Sequence, residues 1–251
     1  MLSVLIRTKN EERNIGRAIR SVLPLADEIV VLDSGSTDRT VEIAKNLGAK
    51  VFFKEWEGYG KQLNYGIGLC SKDWILVLDA DEEVSSELRE SIKKELKNPR
   101  YEVYKLCRKT FYLGDFLNHA WYPEWRVRLF KKGKVRFEGE LHERVIFEGK
   151  AGKLKGDIHH YSYKSLEDQY LKTIRYAKIM ADRMKEEGKR FRLYNLIFNP
   201  LWYFFKIYFL KLGFLDGLRG FLVAMSGAIY VFLKYKFLYE LELKDKKGRI
   251  W

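Results

Sequence analysis

Two carboxylates spaced two residues apart, Asp79 and Asp81 in Asp79-Ala80-Asp81-Glu82, are the residues of this sequence best suited to metal and phosphate chemistry. They follow Trp74-Ile-Leu-Val-Leu78, an unbroken apolar run that reads as a strand buried on both faces of a sheet. Side chains emerging past the carboxyl end of such a strand lie where open α/β sheets hold their ligands. Two converging carboxylates there attract a hard divalent cation, Mg2+ or Mn2+, which in turn suits a diphosphate. The plainer use is local, with Asp79 capping a helix that begins near Ser85.

The elements that must position this pair repeat three times before it. Ser3-Val-Leu-Ile6 reads as a strand followed by the polar loop Thr8-Lys9-Asn10-Glu11, then a helix marked by Ile15, Ala18, Ile19 and Val22. Glu28-Ile-Val-Val-Leu32 ends in Asp33-Ser34-Gly35-Ser36-Thr37-Asp38, and Lys50-Val-Phe-Phe53 ends in a Gly-containing loop before a helix carrying Lys61, Gln62 and Asn64. Alternation of this length demands a mostly parallel sheet with right-handed crossovers. Polar loops after the first, second and fourth strands then share one sheet edge, in order for base, ribose and diphosphate. Neither a GxGxxG fingerprint nor a P-loop occurs.

Composition limits the alternatives. A chain of 251 residues with 47% hydrophobic residues holds one sizeable α/β domain and an appendage. The net charge of +13 sits mostly in residues 151 to 251, with 20 Lys and Arg against 10 Asp and Glu. Cys70 and Cys107 offer neither a disulfide framework nor metal-site spacing, which points to a reducing, cytoplasmic setting. Met1 to Arg7 is too short an apolar run for a signal peptide and reads as the first strand.

With Thr8-Lys9-Asn10-Glu11, Asp33-Ser-Gly-Ser-Thr-Asp38 and Asp79-Ala-Asp81 in this order, residues 1 to 160 resemble family 2 glycosyltransferases of the GT-A fold. Gly58-Tyr-Gly-Lys-Gln-Leu-Asn64, Arg128-Leu-Phe130 and Leu141-His-Glu143 resemble the lipopolysaccharide core β-glucosyltransferase-like group within that family. The resemblance implies a nucleotide-diphosphate sugar donor, UDP-linked by preference, held by Thr8, Asn10, Glu11, Asp33, Gly35, Lys61, Asn64 and Asp79. It puts Asp33 near the base, Asp79 near the ribose or metal, and Asp81 on the metal. It also adds a late histidine, His142 or His160, as a metal-ligand candidate. Many relatives carry two acids where the second loop here begins with the single Asp33.

Inverting transfer needs a carboxylate that removes the acceptor hydroxyl proton, and the candidates are Glu143 and then Glu124. Trp121, Tyr122 and Trp125 offer a sugar platform or simply core and lid packing. From Ser165 a basic amphipathic helix is expected, and residues 193 to 239 become strongly apolar. The uncharged runs 193–205 and 220–233 fall short of the roughly 20 residues that span a bilayer, and their aromatic, Lys-flanked faces suit helices lying in a membrane interface. Buried dimerisation helices are the alternative, leaving a homo-oligomer open.

The expected architecture is therefore a GT-A domain over residues 1–163 and a helical, membrane-associated region over 164–251. The expected activity is metal-dependent inverting transfer to a saccharide or glycolipid acceptor of the cell envelope, at the cytoplasmic face of the inner membrane. A sugar-nucleotide or saccharide-binding module without turnover competes with this reading. Nucleic-acid binding, suggested by net charge alone, is the weaker rival, and no nucleic-acid partner is expected.

Overall fold

Continuous apolar runs leave a strand no polar face, so the strands they form must be covered on both sides. In the computed structural model, which describes residues 1–139 and 144–248, this holds for β1 (Leu2–Thr8), β2 (Glu28–Asp33) and β4 (Trp74–Asp79). With β3 (Lys50–Phe53) they form the parallel half of a mixed sheet in the order β3-β2-β1-β4. Alternate side chains serve opposite faces. Val4, Ile6, Val31, Leu76 and Leu78 pack with Ile15 and Ile19 of α1 (Ile15–Val22), while Leu5, Val30 and Val77 pack with Leu63 and Ile67 of α3 (Tyr59–Leu69). Helix α2 (Thr40–Asn46) closes the second crossover.

Beyond β4 the sheet turns antiparallel. After the three-residue strand β5 (Glu82–Val84) and helix α4 (Ser86–Lys97) come β6 (Val103–Tyr112), the short β7 (Asp115–Phe116) and β8 (Glu124–Lys131). The hairpin β9 (Arg136–Glu138) and β10 (Arg144–Ile146) stands apart, and β11 (Gly152–His160) completes the order β4-β8-β6-β11-β5. Ser85 caps α4, its Oγ accepting the Leu88 N–H, so the capping role weighed for Asp79 belongs to Ser85. Strand β11 also needs Gly156, at φ +88°, because a Cβ there would lie 2.3 Å from Leu88 N.

Contacts divide the chain into Met1–Lys109 with Glu124–His160, and Thr110–Pro123 with Tyr161–Trp251. The excursion of residues 110–123 into the second unit is absent from the expected boundary at 163/164. Within that unit, Asp216 accepts the N–H groups of Asn118, His119 and Ala120, and Tyr112 Oη donates to Gln169 Oε1. Its helices are α5 (Leu166–Glu186), α6 (Leu193–Phe205) continued by a π-helical turn over Lys206–Leu210, and α7 (Gly217–Lys247). Gly213–Lys246 is long and apolar enough, by length and composition, to cross a membrane. Counting uncharged runs missed this, since the count stopped at Lys234 while the helix continues through it.

At the edge of the sheet where the parallel strands begin, Glu28 accepts hydrogen bonds from Ser3 Oγ, Ser71 N and Lys50 Nζ, tying β1, β3 and the entry to β4 to β2. Burial alone would raise its carboxyl, but those donors together outweigh burial and bring it down to about 2. A value below the unfolded one of about 4.3 means that the stabilisation is present at neutral pH and is lost as pH falls from about 4.3 towards about 2. Glu28→Gln is expected to remove up to about 3 kcal/mol at pH 7 and to flatten the acid limb of stability. Denaturant titrations of both proteins between neutral and acid pH measure it, and equal acid slopes would contradict it.

Candidate active site

The register that pairs Thr8 with Asp33 and Arg7 with Asp79 brings the ends of β1, β2 and β4 to one edge. There the first two polar loops hold each other. Asp33 is buried and turned into its own loop, where Oδ2 accepts the N–H groups of Gly35 and Ser36 and Oδ1 accepts Ser36 Oγ. Asn10, at φ +55°, donates its N–H to Ser36 Oγ and accepts the Thr37 N–H, while the Glu11 N–H donates to Thr40 Oγ1. Thr8, Asn10, Glu11, Asp33 and Gly35 thus share one paired-loop surface. Two buried polar atoms there, Thr8 Oγ1 and Gln62 Oε1, have no hydrogen-bond partner among the described residues. Gln62 Nε2 donates to Ser34 Oγ and Lys54 O. Such orphaned atoms are uncommon in folded proteins and mark where a ligand or water would complete the bonding.

Asp79, expected near the ribose or metal, is held by two arginines. Arg7 Nε donates to Oδ1 at 3.0 Å and Arg128 Nη2 to Oδ2 at 2.9 Å, so both oxygens carry charged partners inside the protein. Burial would raise its carboxyl, yet the charges of Arg7 and Arg128 hold it far below the ordinary carboxylate range. The chain of charges continues. Arg128 Nη2 also donates to Glu82 Oε1 at 2.9 Å, Arg108 Nη1 lies 3.6 Å from the same oxygen, and Arg108 Nε donates to Glu124 Oε2 at 2.8 Å. Glu82 is fully buried, and that burial pushes its carboxyl up despite the arginines.

Asp81 lies in the two-residue turn between β4 and β5, and β5 pairs with the end of β11 so that Glu82 faces His160. This puts His160 Nε2 3.4 Å from Asp81 Oδ2. A carboxylate and an imidazole nitrogen are donors that Mg2+ and Mn2+ accept, with phosphate oxygens and water filling the other positions. Among the described residues no set of three or more His, Cys, Asp and Glu converges on a metal position, so the protein offers a pair.

The other expected residues are dispersed or differently used. Asn64 grips β9 at two points, Nδ2 donating to Phe137 O and Oδ1 accepting Phe137 N–H. The Gly60 N–H donates to Gly139 O, and a Cβ on Gly60 would come within 2.9 Å of that oxygen. The Gly-x-Gly-Lys-Gln-Leu-Asn motif therefore fixes the strand that leads to residues 140–143, while Lys61 is exposed. Glu124 has both oxygens in ion pairs with Arg108, and Arg126 shares one of them. Burial would raise its carboxyl, and the Arg108 and Arg126 contacts lower it, an arrangement poorly suited to taking a proton. His142 and Glu143 lie outside the described residues. Trp121 packs near Tyr112 and Tyr163, and Trp125 lies under Lys153 Nζ.

Arg128, Arg108, Arg7 and Glu82 had no assigned role in the sequence. The signal for Arg128 was its place within the strand Val127-Arg128-Leu129, where a charge can be buried only beside opposite charges. Arg128→Met leaves Asp79 with Arg7 alone and Glu82 with the more distant Arg108 alone, and is expected to lower unfolding free energy by about 3 kcal/mol. Arg126→Met, at an exposed pair, should lower it by less than about 1 kcal/mol. Denaturant unfolding compares them, and similar small losses would show that the buried chain of charges does not hold this edge together.

Residues 3–155 match the family described as Glycosyl transferase family 2. An uncharacterized glycosyltransferase of Rickettsia typhi is 36% identical over 259 residues, covering 98% of this chain and 89% of that one. The lipopolysaccharide core biosynthesis glycosyltransferase LpsC of Rhizobium meliloti is 33% identical over 253 residues, covering 95% of this chain and 92% of that one. Among solved structures, glucosyl-3-phosphoglycerate synthase from Mycobacterium tuberculosis with Mn2+, UDP and glucosyl-3-phosphoglycerate is 29% identical, with a TM-score of 0.37 over 45% of this chain and 44% of that one. With its α/β domain and its matched motifs in order along one sheet edge, the chain belongs to glycosyl transferase family 2 and is a glycosyltransferase of the GT-A fold.

Proposed function

We propose that the enzyme transfers a sugar, with inversion, from a UDP-linked donor to a saccharide or lipid-linked acceptor of the cell envelope, such as lipopolysaccharide core. It would work at the cytoplasmic face of the inner membrane. The observation that carries this reading is the Asp81–His160 pair, brought together beside the paired loops by β5 and β11. The likeness of LpsC over nearly the whole chain supports the envelope acceptor.

In this reading Asp81 and His160 hold a Mg2+ or Mn2+ ion together with the donor diphosphate. The ion, when bound, supplies positive charge for the leaving group. The loops at Thr8, Asn10, Glu11, Asp33 and Gly35 take the nucleoside, with Thr8 Oγ1 and Gln62 Oε1 offering unsatisfied polar atoms. Asp79 acts through Arg7 and Arg128, keeping both cations beside the metal-facing turn. The acceptor hydroxyl attacks the anomeric carbon as the bond to the diphosphate oxygen breaks. The diphosphate departs with the bonding electrons, and the hydroxyl proton passes to a carboxylate. Glu143 is assigned that proton. Glu124, held by two arginines, is assigned to positioning, and Asn64 and Gly60 to fixing the chain that leads to Glu143.

Asp81→Asn keeps the shape and removes the charge, so it should abolish the gain in UDP affinity that Mn2+ brings to the native enzyme. Calorimetric titration of UDP with and without Mn2+ reads this directly, and an unchanged gain overturns the assignment. Glu143→Gln should bind UDP normally and lose transfer by about 10²–10⁴-fold, measured as UDP release with an envelope lipid extract as acceptor. Should transfer survive in that variant and vanish in Glu124→Gln at full stability, the two glutamates exchange roles.

A further inference from the structure

The second unit has a surface that its own packing leaves uncovered. Helix α6 packs inward through Asn199, Tyr203 and, in its π-helical continuation, Ile207. Asn199 Nδ2 donates to Tyr235 Oη, Tyr203 lies against Gly227, and Ile207 joins Val223 and Ala224 in a buried cluster. Its partner in all three contacts is α7, so the two helices form an antiparallel hairpin with its turn at residues 211–216. The opposite face of α6 presents Ile197, Phe198, Leu201, Trp202, Phe205 and Phe209, all exposed, with Phe198 and Leu201 at 62%. These fall at i, i+1, i+4, i+5, i+8 and i+12, a single apolar stripe. The turn and the residues flanking it extend the stripe with Leu210, Leu212, Phe214, Leu215 and Leu218, also exposed. An apolar surface this continuous is not what a soluble monomer displays.

We infer that this stripe and turn insert into one leaflet of an anionic phospholipid membrane, and that α7, despite its length, does not cross it. The inference deepens the membrane reading above and is independent of the transfer chemistry. Charge placement favours lipid over a second protein copy. Helix α6 carries no charged residue, while exposed Arg190 and Arg192 precede it and exposed Lys206 and Lys211 follow it, with Lys206 at the margin of the stripe. Cations at both ends of an apolar face sit at headgroup level when the helix lies in the interface, where anionic lipids attract them. Two copies meeting face to face would instead bring these like charges together.

Crossing is opposed by α5. Its Ala181 and Met184 pack on Leu238 of α7, and Lys185 pairs with Asp245. Arg175, Lys178, Arg183 and Lys185 remain exposed on α5, so drawing the part of α7 from Tyr235 onward into a bilayer would pull this charged surface into hydrocarbon or strip α5 away. The uncharged run that remains, 220–233, is short of the roughly 20 residues a span needs. Insertion of the α6 stripe and the turn buries apolar surface alone.

Flotation of the full-length enzyme with phosphatidylcholine–phosphatidylglycerol vesicles tests the inference. The native protein should float, less so as salt rises. Phe198→Asp combined with Leu201→Asp, both at exposed positions, should lower vesicle affinity by at least about tenfold while keeping helical content and Mn2+-dependent UDP binding. Lys206→Gln with Lys211→Gln should weaken binding to anionic vesicles, spare binding to pure phosphatidylcholine and flatten the salt dependence. Asp81→Asn should float as the native protein does, which separates failure of this inference from failure of the active-site assignment. Undiminished flotation of the double Asp variant overturns the inference. So does a vesicle-free dimer that the same variant dissociates, or a tag after Trp251 protected from protease inside a vesicle carrying the α/β domain outside.

Discussion

Burial of charge constrains this α/β domain more tightly than burial of apolar surface. Arg7, Asp79, Arg128, Glu82, Arg108 and Glu124 alternate in sign and come from five strands, β1, β4, β8, β5 and β6. Each would be prohibitively unfavourable alone in the interior, and each is admitted by the neighbour that balances it. Hydrophobic contacts tolerate a small slide of one strand past another, whereas forked guanidinium–carboxylate bonds do not. The parallel and antiparallel halves of the sheet meet at this row, where β8 runs beside β4. The junction that gives the fold its mixed character is thus also the most geometrically exacting part of it.

This row accounts for the chemistry available beside it. With Asp79 and Glu82 engaged by arginines, Asp81 is the carboxylate of Asp79-Ala-Asp81-Glu82 that stands next to an imidazole. Neighbours in sequence are separated in function because the two-residue turn between β4 and β5 returns Glu82 to the Arg128 guanidinium that Asp79 also meets, while Asp81, within that turn, meets His160. A lone acidic triplet is easily read as a cluster with one purpose, but here one acid is an anchor for cations, another is buried among them, and one is turned towards His160.

The parallel half of the fold was legible because fully buried strands and amphipathic helices leave strong periodic marks, as in Trp74 to Leu78 and Ile15 to Val22. Short elements were not. The strand Glu82–Val84 has three residues, too few for any period, and its existence depends on β11, some 70 positions later. Strand β11 did leave a mark, with Leu154 and Ile158 buried between charged neighbours, but Gly156 interrupts the alternation. The loops after β1 and β2 fall at one edge as their strand order implies, without their contacts being readable. Asn64 meets Phe137 across more than seventy residues, and no local pattern encodes that grip. The separation of the two units was blurred for a related reason, because residues 110–123 join the C-terminal helices through Asp216, a contact between distant segments.

Ser85 has a place in this arrangement out of proportion to its size. Its Oγ accepts the Leu88 N–H that opens α4 and also the Asp157 N–H of β11, and its own N–H donates to Asp157 O. One hydroxyl therefore begins a helix and fastens the strand that ends in His160. Fraying of the first turn of α4 and departure of the imidazole from Asp81 become a single local opening, not two independent fluctuations. Such linkage couples the two side chains: what loosens the start of α4 also loosens the strand that carries His160 to Asp81.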